Sequence, residues 1–255
     1  MRIVLKFGSG ILANPTGNTL DARQFNRLSK EVAELVHGGH ECIVVSSGAV
    51  AAGLGALGLR SRPEDLASRQ ACAAVGQSKL MQRYSECFEP HGLQVAQLLL
   101  THGDIDSRTR CENVRSTLGR LLQCRHVVPI INENDSVATE ELRFGDNDRL
   151  SAEVALLLEA DLLILLTSVE GLLDASGRRI PTVENVAAVE KLARADKGRL
   201  SVGGMISKLQ AVKMAVDAGI PTCIASGRKA GQIAALIARK NAGTRFLPSK
   251  SPSLA

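Results

Sequence analysis

Tryptophan is absent from this 255-residue chain, tyrosine occurs once and phenylalanine five times. A core built from such a chain has to be aliphatic, and no ladder of aromatic rings is available to stack nucleic-acid bases. The six cysteines (Cys42, Cys72, Cys87, Cys111, Cys124, Cys223) contain no CxxC pair, and the five histidines show no ligand spacing. That pattern argues against a zinc module and for reduced thiols used as small core residues. No apolar run reaches membrane length, and the opening MRIVLKFG reads as a strand too short for a signal peptide. A cytoplasmic protein with no membrane partner is expected. The chain has no Gly-Lys dipeptide, so the P-loop pattern is missing, and it has no internal repeat or low-complexity tract.

What is present is ordinary for a soluble enzyme, with 45% hydrophobic and 22% charged residues. The formal charge is +5. Its basic residues are interleaved with acidic ones, as in Arg60-Ser61-Arg62-Pro63-Glu64-Asp65. Such a balance suits attraction of small anions better than a nucleic-acid footprint. The length allows one large domain or two intimate lobes.

Strand and helix patterns alternate along the chain. Strands are expected at Arg2–Phe7, Glu41–Val45, Gln94–Leu99, His126–Ile131, Asp161–Leu166, Pro221–Ala225 and Thr244–Leu247. Helices are expected at Asp21–His37, after Ser46, and over Asp65–Phe88, Ile105–Leu122, Leu150–Glu159, Val186–Arg194, Gly204–Ala218 and Gly231–Lys240. Ser136–Phe144 reads as a hairpin arm, Gly171–Ile180 as a hairpin, and Pro248–Ala255 as a frayed tail. The alternation predicts an α/β fold with a mostly parallel sheet covered on both faces. Ligands of such sheets sit at the carboxyl ends of the strands. Those ends are Lys6–Gly10, Ser46–Ala49, Asn132–Asp135, Thr167–Gly171 and Ser226-Gly227, and four of the five carry glycine.

The chemistry-bearing residues fall at those ends. KFGSG (Lys6–Gly10) sets a lysine on a strand end, followed by Gly8 and Gly10, whose backbone N–H groups could form an anion nest. A tight turn with a surface lysine is the alternative. SSGAVAAG (Ser46–Gly53) opens a helix whose amino end favours an anion. GLGALG (Gly53–Gly58) spells GxGxxG, but it lies past the strand end with no acid about twenty residues on, so it is no dinucleotide fingerprint. NEND (Asn132–Asp135) puts two amides and two acids at the sheet edge, suited to an ammonium group or else to a polar turn. GDND (Gly145–Asp148) precedes an apolar helix, where Asp148 could simply cap it. VGGMISKLQ (Val202–Gln210) brings a glycine loop and Lys208 onto a helix start. Two lysines from opposite ends of the chain, glycine-rich anion sites and no metal cage together suit phosphoryl transfer.

In order, KFGSG, VVSSGAVAAG, AAVGQSKLM, PIINENDSV, FGDNDRLSA, LLTSVEGL and VGGMISKLQAV resemble the motifs of the amino acid kinase family, from Arg2 to about Leu247. The resemblance implies a three-layer αβα sandwich forming one domain over residues 1–255. Residues up to about 150 would bind the acceptor, about 151–248 would bind ATP, and 249–255 would be tail. NEND with GDND implies L-glutamate as acceptor, phosphorylated on its 5-carboxylate at the start of proline synthesis. By motif, Lys6, Asp148 and Lys208 would be catalytic, and Ser47, Asp135 and Asn147 would hold glutamate. Lys6, Gly8, Thr167, Ser168, Gly203, Gly204 and Lys208 would grip ATP, with Mg2+ held mainly by its phosphates and not by the protein. The family pattern has Asp where this chain has Ser168, which keeps a hydrogen bond but not the charge. Many relatives carry an appended PUA domain, which is not expected here. The resemblance also implies proline as feedback inhibitor, a homodimer or homotetramer, and a glutamyl phosphate reductase as possible partner. Other family acceptors (acetylglutamate, a nucleoside monophosphate, carbamate) or a non-catalytic glutamate or proline sensor remain as alternatives.

Overall fold

The computed structural model describes residues 1–14, 16–59, 61–137, 146–195 and 204–248. Eight strands form one sheet in the order β3-β4-β2-β1-β5-β7-β8-β6. They are β1 (Arg2–Phe7), β2 (Glu41–Ser46), β3 (Gln94–Leu100), β4 (Val127–Glu133), β5 (Leu162–Thr167), β6 (Thr182–Val183), β7 (Thr222–Ser226) and β8 (Thr244–Phe246). Pairing is parallel everywhere except between β7 and β8. The α/β class and the mostly parallel sheet are as the alternation predicts.

Side chains of the central strands are buried on both faces, and their alternation divides the core in two. Val4, Ile43, Val45, Ile131, Leu163 and Leu165 belong to one cluster. Helices α6 (Arg108–Gln123), α7 (Asp146–Leu157), α8 (Val186–Ala195) and α9 (Gly204–Asp217) contribute to that cluster. Ile3, Leu5, Phe7, Val44, Ile130 and Ile164 belong to the other. It is covered by α1 (Ser9–Leu12), α2 (Ala22–His37), α3 (Ala49–Ala56), α4 (Leu66–Phe88) and α10 (Gln232–Ile237). A short helix α5 (His102–Asp106) and a 3₁₀ turn at Glu89–His91 are the remaining helical elements among the described residues. Four of the six thiols are buried and none is paired, and burial pushes the Cys42 thiol up to about 12.

Several boundaries differ from the sequence reading. The helix expected over Ile105–Leu122 breaks into α5 and α6 at Ser107, whose ψ of 114° is extended. Thr101 and Asp104 close a reciprocal capping box that starts α5 ahead of Ile105. β4 runs two residues further than expected, because Asn132 and Glu133 pair with Leu99 and Leu100 of β3. Helix α7 starts at Asp146, four residues before Leu150. Acidic and amide residues are favourable in a first helical turn, whereas the apolar pattern only becomes visible at Leu150. Helix α10 ends at Ile237, three residues short of Lys240. The two-residue β6 was not expected. Gly171–Ile180 does fold back as a hairpin, through a Leu173–Arg179 bridge. Residues 138–144 of the proposed arm and 249–255 of the proposed tail lie outside the described residues.

Candidate active site

The alternation that builds the two cores also aims Lys6. It is two residues on from Val4, so it shares Val4's face of β1, toward α7 and α9. There its Nζ lies 2.5 Å from Oδ1 of Asp148, on α7. The other oxygen, Oδ2, meets Lys208 Nζ of α9 at 2.9 Å and accepts from Ser207 Oγ at 3.2 Å. The three side chains expose only 7%, 2% and 12% of their surfaces, so little water screens them. Lys208 also donates to the Gly204 carbonyl at 3.0 Å, which folds it back over the first turn of α9.

Burial pushes the Asp148 carboxyl up, but the charges of Lys6 and Lys208 more than offset this and hold it below its ordinary range. For Lys6, burial and the nearby Lys208 charge outweigh the help of Asp148, and its pKa is lowered. Among the described residues two ammonium groups share one carboxylate, which leaves a buried surplus of positive charge. Such a surplus is costly until an anion arrives. Because the folded pKa of Asp148 is depressed, its stabilising contribution is present above the unfolded value of 3.8 and disappears as pH falls through the folded one. Asp148→Asn should therefore be less stable than the parent at pH 7, with the gap closing below about pH 4 in urea titrations.

From sequence Asp148 is open to a capping or a catalytic reading, and its contacts are not those of a cap. It lies inside α7, and Ser151 Oγ donates to its backbone carbonyl while both carboxylate oxygens face ammonium groups. At KFGSG the sequence leaves a nest and a tight turn open. Gly8 has φ −73°, and neither Gly8 nor Gly10 is left-handed, so the chain passes straight into α1. Gly8 N–H is spent on the Leu166 carbonyl at 3.2 Å.

Beside the lysine pair is a second, amide-rich cluster. Asn147 Nδ2 donates to Ser47 Oγ at 3.3 Å, and its Oδ1 accepts from the Glu133 N–H at 3.3 Å. Ser47 is fixed by its N–H bond to the Phe7 carbonyl at 3.1 Å, and Gly48 turns the chain into α3 with φ 108°. Asp135 stands in the turn after β4, next to the Asn134 N–H that donates to the Leu100 carbonyl. Helix α7 is anchored further along by Glu153, which is buried and meets both Arg149 Nε and His102 Nδ1 at 2.7 Å.

Two residues at this cluster were not singled out as binders from sequence. Asn132, 1% exposed, donates to Gln77 Oε1 of α4 at 2.8 Å. Among the described residues, that leaves Asn132 Oδ1 and Gln77 Nε2 buried with no partner. A buried acceptor and a buried donor left open side by side fit a ligand that carries both an ammonium and a carboxylate. AAVGQSKLM and NEND were both visible as motifs, but only the fold places Gln77 against Asn132.

Of the nucleotide residues, Thr167 ends β5, paired with Ser226, and Ser168 is exposed just beyond it. Gly204 begins α9, and Gly203 lies outside the described residues. Among the described residues no group of three His, Cys, Asp or Glu could hold a metal ion, and no helix is long and apolar enough to cross a membrane.

The sequence profile of the amino acid kinase family matches residues 1–226. A glutamate 5-kinase of Moorella thermoacetica is 46% identical over 254 residues, covering 97% of this chain and 67% of its own length. Glutamate 5-kinases of Geobacter sulfurreducens and Myxococcus xanthus are each 44% identical, covering 98% of this chain and 68% and 67% of theirs. With that match over most of its length, and with Lys6, Asp148 and Lys208 gathered at one end of a parallel sheet, the chain belongs to the amino acid kinase family.

Proposed function

We propose that this chain transfers the γ-phosphoryl group of ATP to the 5-carboxylate of L-glutamate, giving L-glutamyl 5-phosphate and ADP, the opening step of proline synthesis. The observation that carries the reading is the buried Lys6–Asp148–Lys208 group with its surplus positive charge, set beside an amide cluster with open hydrogen-bonding atoms. Relatives at 42–46% identity carry the name glutamate 5-kinase, which supports glutamate over the family's other acceptors.

The acceptor carboxylate is ionised at neutral pH, so the attack needs no general base. One carboxylate oxygen forms the new P–O bond as the bond to the ADP oxygen breaks in line, and that electron pair leaves with ADP. Lys6 and Lys208 stabilise charge on the phosphoryl and leaving oxygens, and Asp148 keeps the two ammonium groups at a fixed spacing. Ser47, Asp135 and Asn147 hold glutamate, joined by Asn132 and Gln77. Gly8, Thr167, Ser168, Gly203 and Gly204 would bind the nucleotide, as the family resemblance implies. A magnesium ion fits this scheme when carried on phosphate oxygens, since both oxygens of Asp148 already face lysines. Such an ion would supply further neutralisation of the phosphates.

Residues up to about 150 form the acceptor half and those to about 248 the nucleotide half. Inhibition by proline, self-association as dimer or tetramer, and delivery of product to a reductase belong to the same reading, and rest on the family resemblance. Trapping with hydroxylamine tests it. ATP, magnesium and glutamate together should yield glutamyl hydroxamate, less of it when proline is added. Hydroxamate or ADP formation only with acetylglutamate, carbamate or a nucleoside monophosphate would refute glutamate as acceptor, and glutamate binding without any product would make the chain a sensor.

A further inference from the structure

We infer that Arg228 is a further nucleotide-binding residue, contacting the phosphates that are not transferred; this rests on the kinase reading above. Strands β1, β5 and β7 are neighbours whose carboxyl ends lie in register, Lys6 beside Leu165 and Thr167 beside Ser226. Arg228 follows β7 by two residues and reaches back across that edge. Its guanidinium donates to the Gly10 carbonyl at 2.5 Å. A Cβ on Gly10 would lie 3.7 Å from Ser168 Oγ, so Arg228, Gly10 and Ser168 share one corner at the start of α1.

The segment bearing Arg228 is held firmly from α2. Gln24 Nε2 donates to the Gly227 carbonyl at 3.3 Å, Arg27 bonds the carbonyls of Gly227 and Lys229, and Glu31 accepts from the Gly231 N–H at 3.2 Å. Packing is equally close beneath it, because a Cβ on Gly227 would fall 2.4 Å from Ile11 Cδ1. A cation presented on so fixed a backbone loses little freedom when it binds.

Its charge is also available. Among the described residues no carboxylate pairs with Arg228, and Glu170 pairs with the following residue, Lys229, at 2.5 Å. Ser168, where the family pattern has an acid, adds no competing charge. A guanidinium has five N–H groups, and one of them serves Gly10, so the rest of the fork can meet phosphate oxygens. Lys6 and Lys208 attend the reacting phosphate, which leaves the inner phosphates to this edge.

The test is calorimetric binding of Mg-ADP and Mg-ATP to the full chain carrying Arg228→Gln or Arg228→Lys. Gln keeps a donor for Gly10 without the charge, and Lys keeps the charge. Arg228→Gln should weaken both nucleotides by about tenfold and raise the KM for ATP with kcat nearly unchanged, while Arg228→Lys restores most of the affinity. Parent-like ADP binding by Arg228→Gln would overturn the assignment, as would equal losses in both variants accompanied by a lowered Tm. A parent chain that binds no nucleotide at all would instead remove the kinase reading, and this residue's role with it.

Discussion

Lys208→Ala should lower glutamate-dependent turnover by about two to three orders of magnitude while the thermal transition stays within a few degrees of the parent. The rate falls because an ammonium group held over the phosphoryl site stabilises charge that grows only in the transition state, so kcat and kcat/KM should drop together. Stability is spared for an electrostatic reason. Lys208 and Lys6 share the single carboxylate of Asp148, and removing Lys208 leaves a neutral Lys6–Asp148 pair at 2.5 Å. Removing Asp148 instead would leave two buried ammonium groups facing each other and would cost fold and activity alike. The Ala variant therefore separates chemistry from folding. Hydroxamate formation and a melting curve on the same preparation check both halves, and a rate near the parent's would end the case for Lys208 as a catalytic group.

Lys6 and Lys208 lie 202 residues apart, a distance that sequence pattern alone does not close. Strand positions were legible because strands buried on both faces are continuous apolar runs, such as Leu162–Leu166. Helix starts were legible where a capping side chain marks them, as Asp21 does by accepting the N–H groups of Arg23 and Gln24. The same apolar runs hide which face a residue takes, so nothing in RIVLKF says that Lys6 points to α7 and not α2. Polar strand ends are hard to read for a related reason. Asn132 and Glu133 extend β4 through backbone pairing, which side-chain polarity does not report. The site itself was visible as a set of motifs, but the partnering of Asp148 with two lysines, and of Asn132 with Gln77, exists only after helices from distant segments meet.

Glycines in α3 and α4 give the second large effect, and its sign depends on the neighbour and not on helix propensity. Gly76→Ala should destabilise by about 3 kcal/mol or more and lower Tm by about 6–12 °C. A Cβ there would stand 1.8 Å from the Ala49 carbonyl oxygen and 2.4 Å from the Gly53 nitrogen, both backbone atoms that no rotamer change can move. Gly53 is in the same position from the other side, 1.8 Å from the Cys72 carbonyl oxygen. This close crossing accounts for Gly53 of GLGALG, which resembles a nucleotide motif but serves packing. Gly119 of α6 is the control. Nothing lies within 4 Å of its Cβ position, so Gly119→Ala should stabilise by roughly 0.5–1 kcal/mol through the unfolded chain. The crossing also carries function, because α3 begins two residues after Ser47 and Gln77 follows Gly76 directly. Forcing the helices apart should therefore raise the KM for glutamate more than the KM for ATP. Urea unfolding of the two variants beside their KM values would decide the matter: a Gly76→Ala protein as stable as Gly119→Ala would mean that the two helices do not cross at this distance.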